Sequence, residues 1–445
     1  MSKRYFGTDG IRGVAGEPPL DNATVFAIGL ALGDALGAGA HVVMGEDTRA
    51  SSGWIAETLA AALADRGVGV AHAGVLPTPG VAHLAASDGF AAGVMISASH
   101  NPYQDNGIKC FDSTGYKLPD TEEASIENGI EGYLAAGGLQ PRRLPRATQL
   151  ELVESYVDSL AAHFASTDFS RLRIVVDCAH GAASAVAAPL FARLGLAATL
   201  MADRPDGRNI NAGVGALHPD SLGTEVRRVG ADAGVALDGD ADRAILVDGR
   251  GQVVNGDAVL LMAAREMQAT GQLQPPVVVG TVMTNLGLEL ALGGIGIQLE
   301  RTAVGDKYVL ERMRALGACL GGEPSGHIIF GRAATTGDGL LTALHCFALM
   351  AKRAQPLAAL CGGWTELPQR IINIKVREKA PLESLPEVQT AMASANAHFG
   401  RQGRILVRYS GTEKLARVMV EAVSADDVDR HAHAIATALR SAIGE

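Results

Sequence analysis

Aromatic side chains are scarce in this chain of 445 residues, at 4% of the sequence against 47% for all hydrophobic residues. The core must therefore be built mainly from Ala, Val, Leu and Gly, and small or branched side chains of this kind favour helices packed closely onto sheets. Charged residues make up 19%, which is typical of a globular protein with ample core material. The length predicts two to four domains of ordinary size.

Cysteine is rare as well, with five scattered residues and no CxxC pair: Cys110, Cys178, Cys319, Cys346 and Cys361. Neither a disulfide framework nor a cysteine metal site follows, and reduced thiols in the cytoplasm are expected. The first seven residues lack the apolar core of a signal peptide, and Gly, Asp or Pro interrupts each apolar stretch before it could span a bilayer. We therefore expect a soluble cytoplasmic protein without a membrane partner.

A run of basic residues is also missing. The net charge is −10, from 38 basic and 48 acidic residues, which argues against an extended nucleic-acid footprint. A small anionic substrate would need a local cluster of cations within this acidic whole. The oligomeric state, with a homodimer as one option, is left open by the sequence.

One pattern occurs three times, in which a short β-branched run leads into a Gly- or Asp-rich loop and then into an Ala/Leu-rich helix. The runs start at His41, Arg173 and Val277, and uninterrupted apolar strands followed by helices indicate parallel strands buried on both faces. The C-terminal part instead alternates in 371–376 and 404–409 and ends in an amphipathic helical pattern. We therefore predict three α/β domains and one α+β domain: 1–150, 151–250, 251–366 and 367–445.

The segment Ser97–Pro102 follows the apolar strand 93–96. A serine just past a buried strand lies at the carboxyl edge of a sheet, where α/β folds place ligands. Ser99 is therefore a candidate nucleophile, with His100 beside it. A plain turn that caps a helix is the alternative interpretation of this segment alone.

Three alternating carboxylates, Asp238, Asp240 and Asp242, follow another apolar run and precede Arg243. Oxygen ligands on one loop suit a hard cation such as Mg²⁺ or Ca²⁺. A solvated acidic turn is the alternative, but three like charges packed together repel one another unless a cation neutralises them.

Three further segments are weaker taken singly. Glu323, Ser325 and His327 alternate in a tight Gly-rich loop, and such groups suit the hydroxyls of a sugar. The segment 408–417 combines arginines, hydroxyls and a glycine, which favours a phosphate clamp as much as a charged surface turn. The opening segment 6–13 is Gly-rich and offers Arg12 as a cation, but it does not follow a strand as a dinucleotide-binding fingerprint would.

Together, and in this order, the segments resemble those of the α-D-phosphohexomutases, most closely the bacterial members that act on glucosamine phosphate. The resemblance runs over essentially the whole chain and includes 103–109, 304–309 and 335–339. It implies four domains around a central cleft, three related α/β units and a C-terminal α+β domain that closes as a lid. It also implies interconversion of glucosamine 6-phosphate and glucosamine 1-phosphate, with glucose or glucosamine 1,6-bisphosphate as intermediate or activator.

The resemblance assigns roles residue by residue. Ser99 would carry the phosphoryl group, and one Mg²⁺ per chain would be held by Ser99 with Asp238, Asp240 and Asp242. Catalytic roles around the reacting centre fall on Arg12, His100, Lys109, Arg243 and His327, with the general base left open. Substrate-binding roles fall on Glu323, Ser325, Arg408, Ser410, Gly411, Thr412 and Arg417.

Two positions depart from the family pattern. Pro324 stands where relatives commonly carry Gln, Asn or Met, and Lys414 stands where Pro is common. Neither removes a reacting group, but both would lie beside the substrate, so glucose or mannose phosphates remain alternative substrates. A serine-nucleophile phosphatase and a sugar-phosphate sensor without turnover are the more distant alternatives.

Overall fold

The computed structural model describes residues 4–410 and 414–445. The chain forms two compact units, Met1–Thr281 with Glu300–Gly362, and Val282–Leu299 with Gly363–Glu445. Four sheets follow one another along the chain, three of them mixed and one antiparallel. Within the described ranges, none of the helices has the length and apolar character needed to cross a membrane.

The first sheet has the strand order β1-β2-β6-β5-β3-β4. Its central strand β3 runs parallel to β4 and β5, while β6 and β2 are antiparallel to their neighbours. The strands are β1 Phe6–Gly7, β2 Gly10–Val14, β3 His41–Glu46, β4 Gly69–Val75, β5 Ala92–Ile96 and β6 Asp105–Asp112. The helices are α1 Asn22–Leu36, α2 Ser52–Asp65, α3 Thr78–Ser87 and α4 Asp120–Ala136. Because β5 is buried along its whole length, the chain that leaves its carboxyl end is held at a fixed position.

The second sheet has the order β11-β10-β9-β7-β8, and β7 lies parallel to both β8 and β9. Its strands are β7 Arg173–Asp177, β8 Ala197–Met201, β9 Ala233–Leu237, β10 Ala244–Asp248 and β11 Val253–Val254. The accompanying helices are α5 Leu150–His163, α6 Ala183–Arg193 and α7 Pro219–Val229. The fully buried strands β9 and β10 form an antiparallel pair joined by residues 238–243, so the aspartate-rich segment is a short, tightly held turn.

The third sheet has the order β13-β12-β14-β15, with β12 parallel to β14. Its strands are β12 Val277–Thr281, β13 Gln298–Thr302, β14 Leu320–Gly322 and β15 Ile328–Phe330. The helices here are α8 Gly256–Ala269, α9 Leu286–Gly293, α10 Asp306–Leu316, α11 Gly339–Arg353 and α12 Leu357–Leu360. The turn between β14 and β15 carries Glu323, Ser325 and His327.

The last sheet is antiparallel, in the order β16-β18-β17, and is covered on one face by two helices. The elements are β16 Gln369–Lys375, a short 3₁₀ helix Leu382–Ser384, α13 Pro386–Phe399, β17 Gly403–Tyr409, β18 Leu415–Ala422 and α14 Ala425–Ile443. Alternate residues of β18, from Ala416 to Ala422, face the helices and leave Arg417 and Met419 on the other face. The strands and helices expected from the three repeated patterns and from the alternating C-terminal segments are confirmed, with ends that differ by one or two residues.

Candidate active site

Ser99 lies in the loop that leaves the carboxyl end of β5, and it is 1% exposed. Its φ of 52° is in the left-handed region, which is uncommon for a residue other than glycine. The hydroxyl donates a hydrogen bond of 2.5 Å to Asp238 Oδ2 and lies 3.3 Å from His100 Nδ1. The structure thus brings the candidate nucleophile and the aspartate turn into direct contact.

Buried polar contacts fix the backbone of the Ser99 loop. Arg49 donates to the carbonyl oxygens of Ser99 (2.9 Å) and Asn101 (2.8 Å), and its Nε bonds Asp47 at 2.8 Å. Asn211 donates to the same two carbonyls, at 2.9 and 3.0 Å. A Cβ on Gly239 would lie 2.5 Å from the Ser99 carbonyl oxygen, so only glycine allows the two loops to approach this closely. These contacts maintain the left-handed conformation of Ser99.

The three aspartates of the β9–β10 turn are buried together. Asp238, Asp240 and Asp242 are at most 4% exposed, and one oxygen of each lies within 4.8 Å of the others. The Oδ1 atoms of Asp240 and Asp242 are buried and have no hydrogen-bond partner among residues 4–410 and 414–445. Burial, with Asp242 and Asp240 beside it, raises the pKa of Asp238 well above its usual value. Orphaned carboxylate oxygens of this kind fit a hard divalent cation.

Lys109 already compensates part of this negative charge. It is 1% exposed, and its Nζ lies 2.7 Å from Asp240, 2.9 Å from Asp9 and 3.4 Å from Asp242. Burial lowers the pKa of Lys109, but the three carboxylates outweigh that effect and hold it well above its usual value. The ammonium group is therefore a fixed positive charge at the aspartate turn.

Three more candidates, His100, Arg12 and Arg243, lie close enough together to interact electrostatically. Burial, together with the positive charges of Arg243 and Arg12, lowers the pKa of His100 to about 4. The ring is therefore neutral near pH 7 and is able to accept a proton from a hydroxyl group. Arg12 forms an ion pair with Asp9, and Arg243 has a buried Nε without a hydrogen-bond partner.

The β14–β15 turn supplies the predicted sugar-binding groups. Glu323 is 8% exposed and accepts a hydrogen bond from the Gly305 N–H at 3.2 Å. Ser325 Oγ is buried, and the described part of the chain offers it no hydrogen-bond partner. His327 Nδ1 lies 3.7 Å from Asp242 Oδ1, and its Nε2 accepts from the Gly337 N–H at 3.1 Å. The turn therefore presents a carboxylate and a hydroxyl beside a histidine that reaches the aspartate turn.

The predicted phosphate clamp lies in the C-terminal unit. Arg408 and Arg417 are half-buried and directly opposite one another on β17 and β18. Together with Asn373, they line a cavity of about 280 Å³ on the face of the sheet away from the helices. Like charges directly opposite across a sheet are unfavourable unless an anion balances them. Ser410, the residue after β17, is buried. Gly411 and Thr412 lie outside the described residues.

Sequence reasoning overlooked several polar residues that organise the site. Lys117 bonds Asp9 Oδ1 at 2.6 Å and forms an ion pair with Asp306. Asp9 and Asp306 both stand in segments that carried the resemblance, yet nothing in their local pattern distinguished them from turn residues. Lys117 and Arg49 had no signal at all, because their partners are distant in sequence.

Family models match consecutive parts of the chain. They describe the phosphoglucomutase/phosphomannomutase alpha/beta/alpha domains I, II and III at residues 3–136, 154–251 and 255–367, and the C-terminal domain at 371–438. The chain therefore belongs to the phosphoglucomutase/phosphomannomutase family, within the α-D-phosphohexomutases.

Relatives within this family carry a more specific name. A phosphoglucosamine mutase of Koribacter versatilis is 50% identical over 99% of this chain and 98% of its own. One of Solibacter usitatus is 49% identical over the full length of both chains.

Solved structures share the fold. A phosphoglucomutase/phosphomannomutase family protein of Burkholderia thailandensis has a TM-score of 0.80 at 24% identity and covers 98% of this chain and 97% of its own. The N-acetylphosphoglucosamine mutase of Aspergillus fumigatus, described in complex with GlcNAc-6P and magnesium, has a TM-score of 0.62 at 21% identity, with 98% and 96% covered.

Proposed function

We propose that this protein is an isomerase that interconverts glucosamine 6-phosphate and glucosamine 1-phosphate, and that Ser99 carries the transferred phosphoryl group. The single observation that carries the proposal is the contact of the buried Ser99 hydroxyl with Asp238 in a cluster of three aspartates. Relatives named phosphoglucosamine mutase, at 49 and 50% identity over nearly all of both chains, support the choice of sugar.

The reaction moves one phosphoryl group in each direction. The phosphorus–oxygen bond to Ser99 breaks as a bond forms to the free hydroxyl oxygen of the sugar, and the hydroxyl proton passes to a base. The product is a 1,6-bisphosphate. In the second transfer, the bond between the other phosphoryl group and its sugar oxygen breaks as that group bonds to the Ser99 oxygen, and the proton held by the base passes to the freed sugar oxygen. This restores the phosphoenzyme and releases the isomeric monophosphate. A free 1,6-bisphosphate would therefore also prime the unphosphorylated enzyme.

The chain's own residues supply positioning and charge. The contacts of Arg49 and Asn211 hold the Ser99 backbone in place, which reduces the reorganisation needed at transfer. Lys109, Arg12 and Arg243 place fixed positive charge around the trianionic centre that transfer creates. His100 and His327 are candidates for the proton transfers, and Glu323 and Ser325 are proposed as partners of the sugar hydroxyls.

The aspartate turn is proposed as the site of one Mg²⁺ per chain. Asp238, Asp240 and Asp242 would hold the cation together with a phosphoserine oxygen at Ser99, and their orphaned oxygens fit a ligand of this kind. When bound, such a cation neutralises charge on the transferring group. Arg408, Ser410 and Arg417, with Gly411 and Thr412, are proposed to bind a substrate phosphate. The reaction would take place in the cytoplasm, where sugar phosphates are found.

The test compares three substrates on one preparation. We would measure kcat/KM for the 6-phosphates of glucosamine, glucose and mannose, with Mg²⁺ and a catalytic amount of 1,6-bisphosphate. We expect glucosamine 6-phosphate to be preferred by at least about tenfold. A preference for glucose or mannose would keep the mechanism and replace the substrate, which is the outcome Pro324 and Lys414 leave open. Release of inorganic phosphate as fast as isomerisation would favour a phosphatase instead.

A further inference from the structure

A ring of buried carboxylates, lysines and one histidine joins elements of the first three sheets. Lys109 links Asp240 to Asp9, and Lys117 links Asp9 to Asp306. His327 completes the ring, because its Nε2 is 3.8 Å from Asp306 and its Nδ1 is 3.7 Å from Asp242, which in turn lies 3.4 Å from Lys109. Lys117 stands opposite the aspartate turn in this ring and contacts neither Ser99 nor any of the three clustered aspartates.

We propose that Lys117 is a positioning residue for phosphoryl transfer, which holds Asp9 so that Lys109 stays on Asp240. The inference rests on the proposed function of this site and extends it to a residue outside the reacting centre. Its basis is the sharing of one carboxylate: Asp9 Oδ1 accepts from Lys117 at 2.6 Å, while Oδ2 faces Lys109 at 2.9 Å and Arg12.

Loss of Lys117 would redistribute this charge. Asp9 would keep two cations instead of three, so its attraction for Lys109 and Arg12 would increase. Lys109 also bonds Asp240 at 2.7 Å, and a shift toward Asp9 would draw its ammonium group away from the aspartate turn. Asp306 would lose its lysine as well, which alters the negative charge felt by His327. Even a small displacement of an ammonium group beside the reacting centre lowers the rate of transfer more than it weakens substrate binding.

Lys307, the residue after Asp306, provides a matched control. Its ammonium group contacts Asp120 and lies 3.1 Å from Glu123, so it joins α10 to α4. Lys117, three residues before α4, joins the start of α10 to Asp9 in the β1–β2 turn. The two lysines are similarly buried, with 7% of the Lys307 side chain and 10% of the Lys117 side chain exposed. The Lys117 side chain contacts Asp9 and Asp306 of the ring, whereas the Lys307 side chain contacts Asp120 and Glu123 instead. If Lys117 only stabilised the fold, replacement of either lysine should have the same effect on kcat.

The experiment measures kcat and KM for glucosamine 6-phosphate at saturating Mg²⁺, together with thermal unfolding. We expect Lys117→Met to lower kcat by on the order of 10²-fold with KM within about threefold, and Lys307→Met to leave kcat within about twofold while lowering Tm. Lys117→Arg, which is able to bridge both carboxylates, should recover most of the rate. Lys117→Gln replaces the Met variant if that variant does not fold.

A double-mutant cycle tests whether Lys117 acts through Lys109. If it does, Lys109→Met with Lys117→Met should be no slower than Lys109→Met alone, whereas Lys307→Met should show no such coupling. A Lys117→Met kcat within twofold of wild type, or single effects that multiply in the double variant, would overturn the inference and leave the proposed function intact. A wild-type enzyme that isomerises none of the three sugar phosphates would instead remove the proposed function, and the inference with it.

Discussion

The two regions proposed to bind phosphate manage their charges in opposite ways. Around Ser99, the charges are buried, and the Lys109 ammonium group pairs with Asp240 and Asp9, which compensates part of the negative charge of the aspartate turn. On the C-terminal sheet, Arg408 and Arg417 are half-buried and face one another. Buried ions are tolerated only when they are paired, whereas two half-buried arginines on adjacent strands keep enough solvent contact to lie side by side.

We interpret this difference as a division between catalysis around Ser99 and phosphate binding on the C-terminal sheet. A region with compensated, rigidly held charges presents a preorganised environment for a transition state, because little has to reorient when charge develops. If the substrate's phosphate binds beside Arg408 and Arg417, as proposed, these arginines stabilise it in the ground state and the transition state equally. We therefore expect variants near Ser99 to change kcat and variants on the C-terminal sheet to change KM.

The largest effect is expected for Ser99→Ala. Without a hydroxyl, no phosphoenzyme forms, and kcat should fall by roughly 10⁴-fold or more. Tm should fall by only a few degrees, because the change removes the hydrogen bond to Asp238 but alanine meets the same left-handed backbone. Mass spectrometry of enzyme treated with 1,6-bisphosphate should place phosphate on Ser99 in the wild type and in the exposed control Ser87→Ala. Near-normal turnover by Ser99→Ala would remove this residue as the phosphoryl carrier.

A smaller loss is expected for Asp240→Asn, which removes one charge from the aspartate turn. This carboxylate bonds Lys109 and has a second oxygen without a partner, so the change should weaken cation binding and lower kcat by on the order of 10²-fold. A magnesium titration of activity should shift to higher concentration, and removal of Mg²⁺ with a chelator should abolish wild-type turnover. An unchanged titration curve would contradict a ligand role for Asp240.

On the C-terminal sheet, Arg417→Ala should raise KM by about tenfold with a smaller change in kcat. The matched control is Arg370→Ala on β16, because Arg370 pairs with Asp429 of α14 on the helix-covered face. Steady-state kinetics of both variants would show whether KM depends on Arg417 specifically or on any arginine of this sheet. Equal KM values for the two would place the phosphate elsewhere, and a loss confined to kcat would contradict the division between catalysis and binding.

The sequence predicted the parts of this molecule that depend on local pattern. The strands before Ser99 and Asp238 are continuous apolar runs, so their carboxyl ends, and the polar turns that follow, were recognisable. The family resemblance added the prediction that Ser99 and the three aspartates lie together and hold one metal ion. What escaped prediction depends on contacts between residues far apart in sequence, such as Lys117 with Asp306 and Arg49 with the Ser99 carbonyl. A single lysine or arginine gives no local sign of which distant oxygen it will meet.

The smallest predicted effect concerns Asp338, a buried acid of the first unit whose hydrogen-bond partners among the described residues are neutral groups. Asp338 is 3% exposed and bonds the Tyr156 hydroxyl and the Leu341 N–H, both at 2.9 Å. Burial raises its pKa to about 6, although these hydrogen bonds act in the opposite direction. A raised folded-state pKa means that the group destabilises the fold increasingly as the pH rises from about 4 through 6.

Asp338→Asn should therefore gain stability relative to wild type with rising pH, by about 1 to 2 kcal/mol between pH 5 and pH 8. The asparagine side-chain oxygen still caps α11, so the pH-independent part of the change should be small. The measurement is the difference in Tm between variant and wild type across that range. The contrast is Glu421→Gln, which leaves Arg404 without a carboxylate that is 2.8 Å away and fully buried, and which should lower stability by about 3 kcal/mol. A Tm difference for Asp338→Asn that does not vary with pH would show that burial does not raise the pKa of Asp338.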